Sequence, residues 1–275
     1  IGMIIYGVVA GASVGELFIA GIGPGLIILI AFSIYSYIYS RIKQIPTQPK
    51  ATWKERLTAF RKALLAFGYP VIIIGGIYTG TFSPTEAAAA TVFYAFILEF
   101  FVYKSIKLKE IPQIAMSSGL ITAVVFILVG VGMAFSWTIS YAKIPQQILP
   151  ALLGTDPSQL RILITISIAF FIGCMFVDPI VVIIILVPIF KPAFISAGID
   201  TVLVGTLVTL QAAIGSATPP FGCDIFTAIA IFRRPYWEVI RGTPPFIIIL
   251  VLISILLILV PDTALFLRDI AFGYR

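Results

Sequence analysis

Histidine does not occur anywhere in the 275 residues. That excludes a histidine-ligated metal or haem and any Ser–His catalytic pair. Cysteine is almost as scarce. Cys174 and Cys223 lie in apolar segments without CxxC spacing, and read as small buried hydrophobes. Charged residues make up only 11% of the chain against 60% hydrophobic, and the mean hydropathy is +1.11. No soluble domain of this length buries so much apolar surface, so the chain reads as an all-α polytopic membrane protein. Ten-residue segments of alternating hydrophobicity, which would mark a membrane barrel, are lacking. A GxxxxGK[ST] nucleotide loop is lacking too, which disfavours an ATP-driven pump. The net charge of +6 follows loops rather than one patch and is no sign of nucleic-acid binding. The chain starts on Ile1, inside an apolar helix and with no signal-peptide pattern, so a preceding N-terminal portion is expected.

What is present centres on Gly215-Ser216-Ala217-Thr218-Pro219-Pro220-Phe221-Gly222, in the middle of a long apolar run. Two prolines framed by glycines remove amide donors and clash with the preceding turn, so a helix cannot run through them. Broken backbone at membrane depth survives only against protein or a water-lined cavity. It presents bare carbonyls and the positive start of a half-helix at one spot, the arrangement secondary transporters use for a cation and a carboxylate. The competing reading is a proline kink in an ordinary span. Freed carbonyls at 215–218, with the Ser216 or Thr218 hydroxyl, suit a hard cation seeking oxygen ligands.

In chain order, residues 1–12 make about half a span, Ser13 offers an N-cap with Glu16, and 21–25 (Gly-Ile-Gly-Pro-Gly) breaks the chain. Residues 26–39 span, and 44–50 form a loop. Residues 52–65 read as an amphipathic helix lying in the membrane plane, with Trp53, Leu57, Phe60 and Leu64 on one face. A short glycine-interrupted segment, 69–78, comes next. Ser83-Pro84-Thr85-Glu86 then gives a helix start in which Glu86 reads first as a capping-box acid and second as a functional one. That span runs to about 103, another covers 113–140, a weak amphipathic piece covers 143–153, and 154–158 is a turn. The apolar run at about 160–190 is interrupted at Val177-Asp178-Pro179. Two half-length helices meeting at a tip, a re-entrant hairpin, fit it better than one span. The broken helix occupies about 201–232, a last span covers 246–260, and a charged tail closes the chain.

Lys and Arg fall in three clusters, seven at 41–62, three at 104–109 and three at 233–241, with the other five of the eighteen scattered. The positive-inside rule puts the clusters in the cytoplasm. The hairpin then enters from the periplasmic side and the broken helix descends to Arg233. Sliding the chain on itself by about 220 positions lays Ile1–Tyr6 over Phe221–Phe226, and Pro24 over Pro244. With the assigned topology this is an inverted repeat. The chain divides accordingly into the end of repeat one (1–50), the arm and scaffold helices of repeat two (51–112), transport-domain helices carrying hairpin and broken helix (113–240), and the last span with its tail (241–275).

These segments resemble a known family. Ser13 to Phe18 with Gly21 to Gly25, Phe82-Ser83-Pro84-Thr85-Glu86-Ala87-Ala88, Asp178-Pro179 with Ile185 to Pro188, Gly198-Ile199-Asp200, and Ile214-Gly215 with Thr218 to Gly222 are similar, in order, to the large membrane subunit of TRAP (tripartite ATP-independent periplasmic) transporters. The resemblance implies an inverted-repeat, elevator-type importer driven by a sodium gradient, with sodium as coupling ion, no other cofactor and no enzymatic activity. Its implied partners are a small four-helix membrane subunit, a periplasmic substrate-binding protein, and a small organic acid such as a sialic acid or a C4-dicarboxylate. The implied location is the inner membrane. Candidate ion-site residues are Asp178, Gly215, Ser216, Ala217, Thr218 and Pro219; candidate substrate or gating residues are Pro179, Pro220, Gly222 and Asp224. Asp178 is equally a cap for the helix opening at Pro179, and Asp224 is nearly as well explained by the helix dipole. The alternative is an ion channel or a proton-translocating subunit of a respiratory-type complex. Glu86, Glu99 and Asp178 are too few and too dispersed for a proton relay.

Overall fold

The computed structural model describes residues 1–46, 49–154 and 156–274, and every regular element among them is a helix. Parts of the expected 44–50 loop and 154–158 turn, and the terminal Arg275, lie outside the described residues. Helix α1 (Gly2–Ala10) stops where Gly11 turns left-handed, at φ 73°, and donates its N–H to the Gly7 carbonyl. Helix α2 (Val14–Ala20) starts as expected at Ser13, whose hydroxyl accepts the Glu16 N–H at 3.3 Å. The break before α3 (Ile22–Ile42) is narrower than the sequence suggests, because Gly21 alone separates the two helices. Gly23, Pro24 and Gly25 sit inside the first turn of α3. Helix N–H groups have no intrahelical partner there, so a proline is tolerated.

Helix α4 (Trp53–Pro70) opens with a full capping box between Thr52 and Glu55. It does not end near 65. It continues through a wide turn at Val71–Gly75 into α5 (Gly76–Tyr78), giving 26 continuous helical residues that contain an apolar stretch of bilayer length. The separate in-plane arm and the short segment 69–78 are therefore corrected to one helix. The wide turn comes directly after Pro70, which has no N–H to give the ladder. Helix α6 (Pro84–Ile97) begins at Ser83, whose N–H and hydroxyl both donate to Glu86 Oε2 at 2.8 Å. Glu86 is thus the capping acid. A second wide turn extends α6 to Val102. Gly68 lets Tyr94 approach, and the Tyr94 hydroxyl donates to the Leu65 carbonyl at 2.8 Å.

The remaining helices are α7 (Ile111–Tyr141), α8 (Ile144–Leu153), α9 (Gln159–Phe176), α10 (Pro179–Ser196), α11 (Thr201–Ser216), α12 (Cys223–Phe232), α13 (Tyr236–Arg241), α14 (Pro244–Leu259) and α15 (Asp262–Phe272). The expected charged tail is thus mostly helical, and α15 bends 60° away from α14. Among the described residues, six helices are long and apolar enough to cross a bilayer, or seven with that bent pair counted as one span. Residues 1–37 and 126–275 form one compact unit and 38–125 another.

Helix α11 is the axis of the first unit. It is buried on all sides except at Thr201, Thr209 and Ala213, as expected of a helix apolar all round. In lipid such packing depends on close contact rather than on expelling water. Gly205 supplies it, since Tyr6 and Leu17 occupy the space a Cβ would need, and the Tyr6 hydroxyl donates to the Thr201 carbonyl at 2.8 Å. The internal echo is visible in the elements. Helix α1, the left-handed Gly11, α2, Gly21 and α3 are matched about 220 positions later by α12, Arg233 at φ 52°, α13, Gly242 and α14.

Candidate functional site

Helices α9 and α10 fold back on one another around Val177-Asp178. Near the tip, a Cβ on Gly173 would lie 2.8 Å from Val182; at the open end, Gln159 Nε2 donates to the Ala197 carbonyl at 2.9 Å. Each arm has 18 residues, about 27 Å, so the half-length helices expected from sequence are corrected to nearly full-length ones. The difference arises at Lys191-Pro192, which reads as a terminus but lies inside α10, as does Pro188. At the tip Asp178 is exposed and caps α10, its Oδ1 accepting the Ile180 N–H at 2.8 Å, with Pro179 at the first helical position.

The second break is where the sequence puts it. Helix α11 ends at Ser216, residues 217–222 are non-helical with a cis Pro219–Pro220 peptide, and α12 restarts at Cys223. In a continuous helix the Gly215 and Ser216 carbonyls would take N–H groups from positions 219 and 220, and both are prolines. Gly215 recovers a donor from the Thr218 N–H at 3.0 Å, and the Thr218 carbonyl accepts the Gly222 N–H at 3.2 Å. The Gly215 carbonyl, which also accepts the Ala217 N–H, is therefore less bare than expected, while the Thr218 carbonyl keeps a second lone pair. The Thr218 hydroxyl is turned back onto the Ile214 carbonyl at 2.5 Å, while the buried Ser216 hydroxyl donates to Asp224 Oδ2 at 2.6 Å. The Ser216 and Thr218 carbonyl oxygens converge on Gly222, where a Cβ would collide with the first and lie 2.8 Å from the second. The Pro220 carbonyl accepts from the Tyr236 hydroxyl at 3.0 Å.

The two breaks meet. A Cβ on Gly215 would lie 2.5 Å from the Cys174 Cβ and 2.7 Å from the Phe171 carbonyl oxygen, so α11 lies directly on the backbone of α9. The Phe176 and Phe221 rings, one from each break, are 6.0 Å apart. Ser216, Thr218, Gly222 and Asp224 are joined by these bonds and contacts into one oxygen-rich turn. Its carbonyl, hydroxyl and carboxylate oxygens are a donor set that fits a hard cation better than a soft metal. No group of three or more His, Cys, Asp or Glu side chains placed to hold a metal ion occurs among the described residues.

Sequence reasoning missed a polar cluster at the other end of α11. Arg268 on α15, with 9% of its side chain exposed, donates to Asp200 at 2.6 Å and to Asp269 at 2.5 and 2.8 Å. Glu16 on α2 approaches it at 3.9 Å, and Tyr274 lies under its guanidinium at 5.1 Å. Asp200 also caps α11, accepting from the Val202 and Leu203 N–H groups. The sequence signal was the helix start at Asp200, but nothing local links it to a residue 68 positions on. Gln211 was likewise unassigned; it is buried and donates to Ser254 at 2.5 Å.

Apolar helices of bilayer length, a helical hairpin, and a buried helix broken against that hairpin define a polytopic membrane protein built as transporters are. The family emerges from comparison. Residues 1–263 match the model of the tripartite ATP-independent periplasmic transporter DctM component, and the chain belongs to that family, one of transporter permeases rather than enzymes. It is 65% identical over 272 residues to the ectoine TRAP transporter large permease protein TeaC of Halomonas elongata, covering 99% of this chain and 64% of that protein. It is 64% identical over 273 residues to the ectoine/5-hydroxyectoine TRAP transporter large permease protein UehC of Ruegeria pomeroyi, with the same coverage. To the C4-dicarboxylate TRAP transporter large permease protein DctM of Pseudomonas aeruginosa it is 34% identical over 267 residues, 97% of this chain and 62% of that protein. The chain thus spans a little under two thirds of the length of these relatives. Family and helices together make it a multi-pass protein of the inner membrane.

Proposed function

We propose that this chain is part of the translocating subunit of a secondary importer, which receives a small carboxylate-bearing solute from a periplasmic binding protein and is driven by a sodium gradient. The observation that carries the reading is the meeting of the two breaks, Gly215 against Cys174 and Phe171, within a chain of this family. Ectoine or 5-hydroxyectoine is the solute proposed, on the names of TeaC and UehC, in place of the sialic acid or C4-dicarboxylate expected from sequence. The small membrane subunit belongs to the same proposal. Sodium would be held by the oxygens of 215–218, with Pro219 removing a competing donor, and Asp178 would contribute its charge from the hairpin tip. Pro179, Pro220, Gly222 and Asp224 would shape the adjoining solute site and its gate. An elevator motion would carry hairpin and broken helix together, since α9 and α11 are packed backbone to backbone at Gly215.

The test is uptake of labelled ectoine by proteoliposomes holding the complete transporter, with its binding protein outside. An inward sodium gradient is expected to drive accumulation that a potassium gradient of equal size does not. Equal uptake in both would remove sodium coupling from the proposal.

Asp178→Asn isolates the charge at the tip, because asparagine caps a helix about as well as aspartate. Sodium-driven uptake is expected to fall at least roughly tenfold while membrane abundance and thermal stability stay unchanged, removal of a functional intramembrane charge being the cause. Unaltered uptake and sodium dependence would leave Asp178 as the cap seen in its bond to Ile180.

A further inference from the structure

Away from the two breaks, the first unit holds a cavity of about 570 Å³ between the end of α1, the C-terminal third of α7 and the last turns of α10. Val8, Ile184 and Pro188 make its walls mostly apolar, and no acidic residue among the described residues lines it. Lys191 enters it half-buried, and no carboxylate pairs with Lys191 among the described residues. Its Nζ lies beside Gly11, where the terminal carbonyls of α1 favour a cation. Ser136 and Ser140 face the same cavity one helical turn apart. Thr122 and Thr138, on the same helix, return their hydroxyls to the carbonyl four residues back. Ser136 and Ser140 make no such bond among the described residues.

The depth of the cavity is marked by Trp137, which lines it, and by Tyr141, whose ring stacks on Trp137 at 5.3 Å; both are largely exposed. Exposed Trp and Tyr at the end of a spanning helix belong to the headgroup level of a bilayer. A lone ammonium and two free hydroxyls at that level, above apolar walls, match a phosphate diester carried on acyl chains. Among the described residues no carboxylate lines this cavity to take the cationic end of a zwitterionic headgroup; Glu16, Asp200 and Asp269 line the neighbouring cavity, which shares Ile195, and are turned to Arg268.

We propose that this cavity binds an acidic phospholipid, with its phosphate on Lys191, its headgroup hydroxyls at Ser136 and Ser140, and an acyl chain along Val8, Ile184 and Pro188. The site is separate from the two breaks and does not depend on what the protein transports.

Native mass spectrometry of the purified protein, titrated with phosphatidylglycerol or phosphatidylcholine of equal chain length, tests it. Wild type is expected to retain phosphatidylglycerol roughly fivefold better, the difference one interfacial lysine supplies. Lys191→Gln should abolish that preference and Lys191→Arg should keep it, while Ser136→Ala with Ser140→Ala weakens it. Inorganic phosphate in millimolar excess should not displace the lipid. Equal retention of the two lipids by wild type, an undiminished preference in Lys191→Gln, or displacement by inorganic phosphate would each overturn the proposal.

Discussion

Gly215→Ala is expected to abolish uptake and to lower the stability of the first unit by about 3 kcal/mol, the upper end of the cost of overpacking a core. The added methyl group would meet the Cys174 Cβ at 2.5 Å, the Phe171 carbonyl oxygen at 2.7 Å and the Cys174 carbonyl carbon at 2.9 Å. Two of those atoms are backbone of α9, so no side-chain rotation makes room. Relief requires α9 and α11 to separate, which would pull the hairpin tip away from the broken helix. Gly25→Ala is the matching control. A Cβ there meets nothing within 4 Å, and the change is expected to stay within about 0.5 kcal/mol of wild type. Thermal unfolding in detergent and sodium-driven uptake measure the two effects. Cys174→Gly added to Gly215→Ala should recover only part of the loss, because the Phe171 oxygen remains. Near-wild-type uptake by Gly215→Ala would mean that the contact between the breaks is not needed for transport.

Much of this arrangement was legible in the sequence because it rests on local chemistry. Pro219-Pro220 stops a helix whatever surrounds it, and Ser83 with Glu86 caps one by reaching only three residues. Capping was also half of the reading of Asp178, and its bond to the Ile180 N–H is local too. Extents were less legible. Pro24 and Pro192 looked like boundaries but lie inside α3 and α10, since a proline near a helix start gives up nothing and one further in removes a single bond. The glycines at 75 and 76 likewise failed to separate α4 from α5. Contacts between distant residues left no trace. The approach of Gly215 to Cys174 depends on how α9 lies against α11, and the Ser216–Asp224 bond depends on how the chain turns between them. Asp200 stood out only as part of the family-like segment Gly198-Ile199-Asp200, although its second oxygen holds Arg268.

Arg268→Met is the second large effect expected, a loss of about 2 kcal/mol, between the values for exposed and for buried ion pairs. Among the described residues Arg268 is the single cation set among Asp200, Asp269 and Glu16, and its removal leaves three carboxylates facing one another in a polar cavity of about 730 Å³. The cavity is open enough for water to reach them, which keeps the loss below that of a sealed pair. The guanidinium also joins elements far apart in sequence: α2, the start of α11, and α15. Asp200→Asn separates the contributions, since asparagine can keep the bonds from Val202 and Leu203 while giving up the charge opposite Arg268. It is expected to cost about 1 kcal/mol alone, and the double variant should cost less than the sum of the two, with a coupling of about 1 kcal/mol. Thermal unfolding of the four proteins at low salt measures that coupling, and added salt should reduce it only slightly because the guanidinium is buried. Strict additivity would show that the Arg268–Asp200 contact at 2.6 Å contributes nothing of its own. The Tyr6–Thr201 bond and the apolar packing along α11 would then be what holds the start of that helix in place.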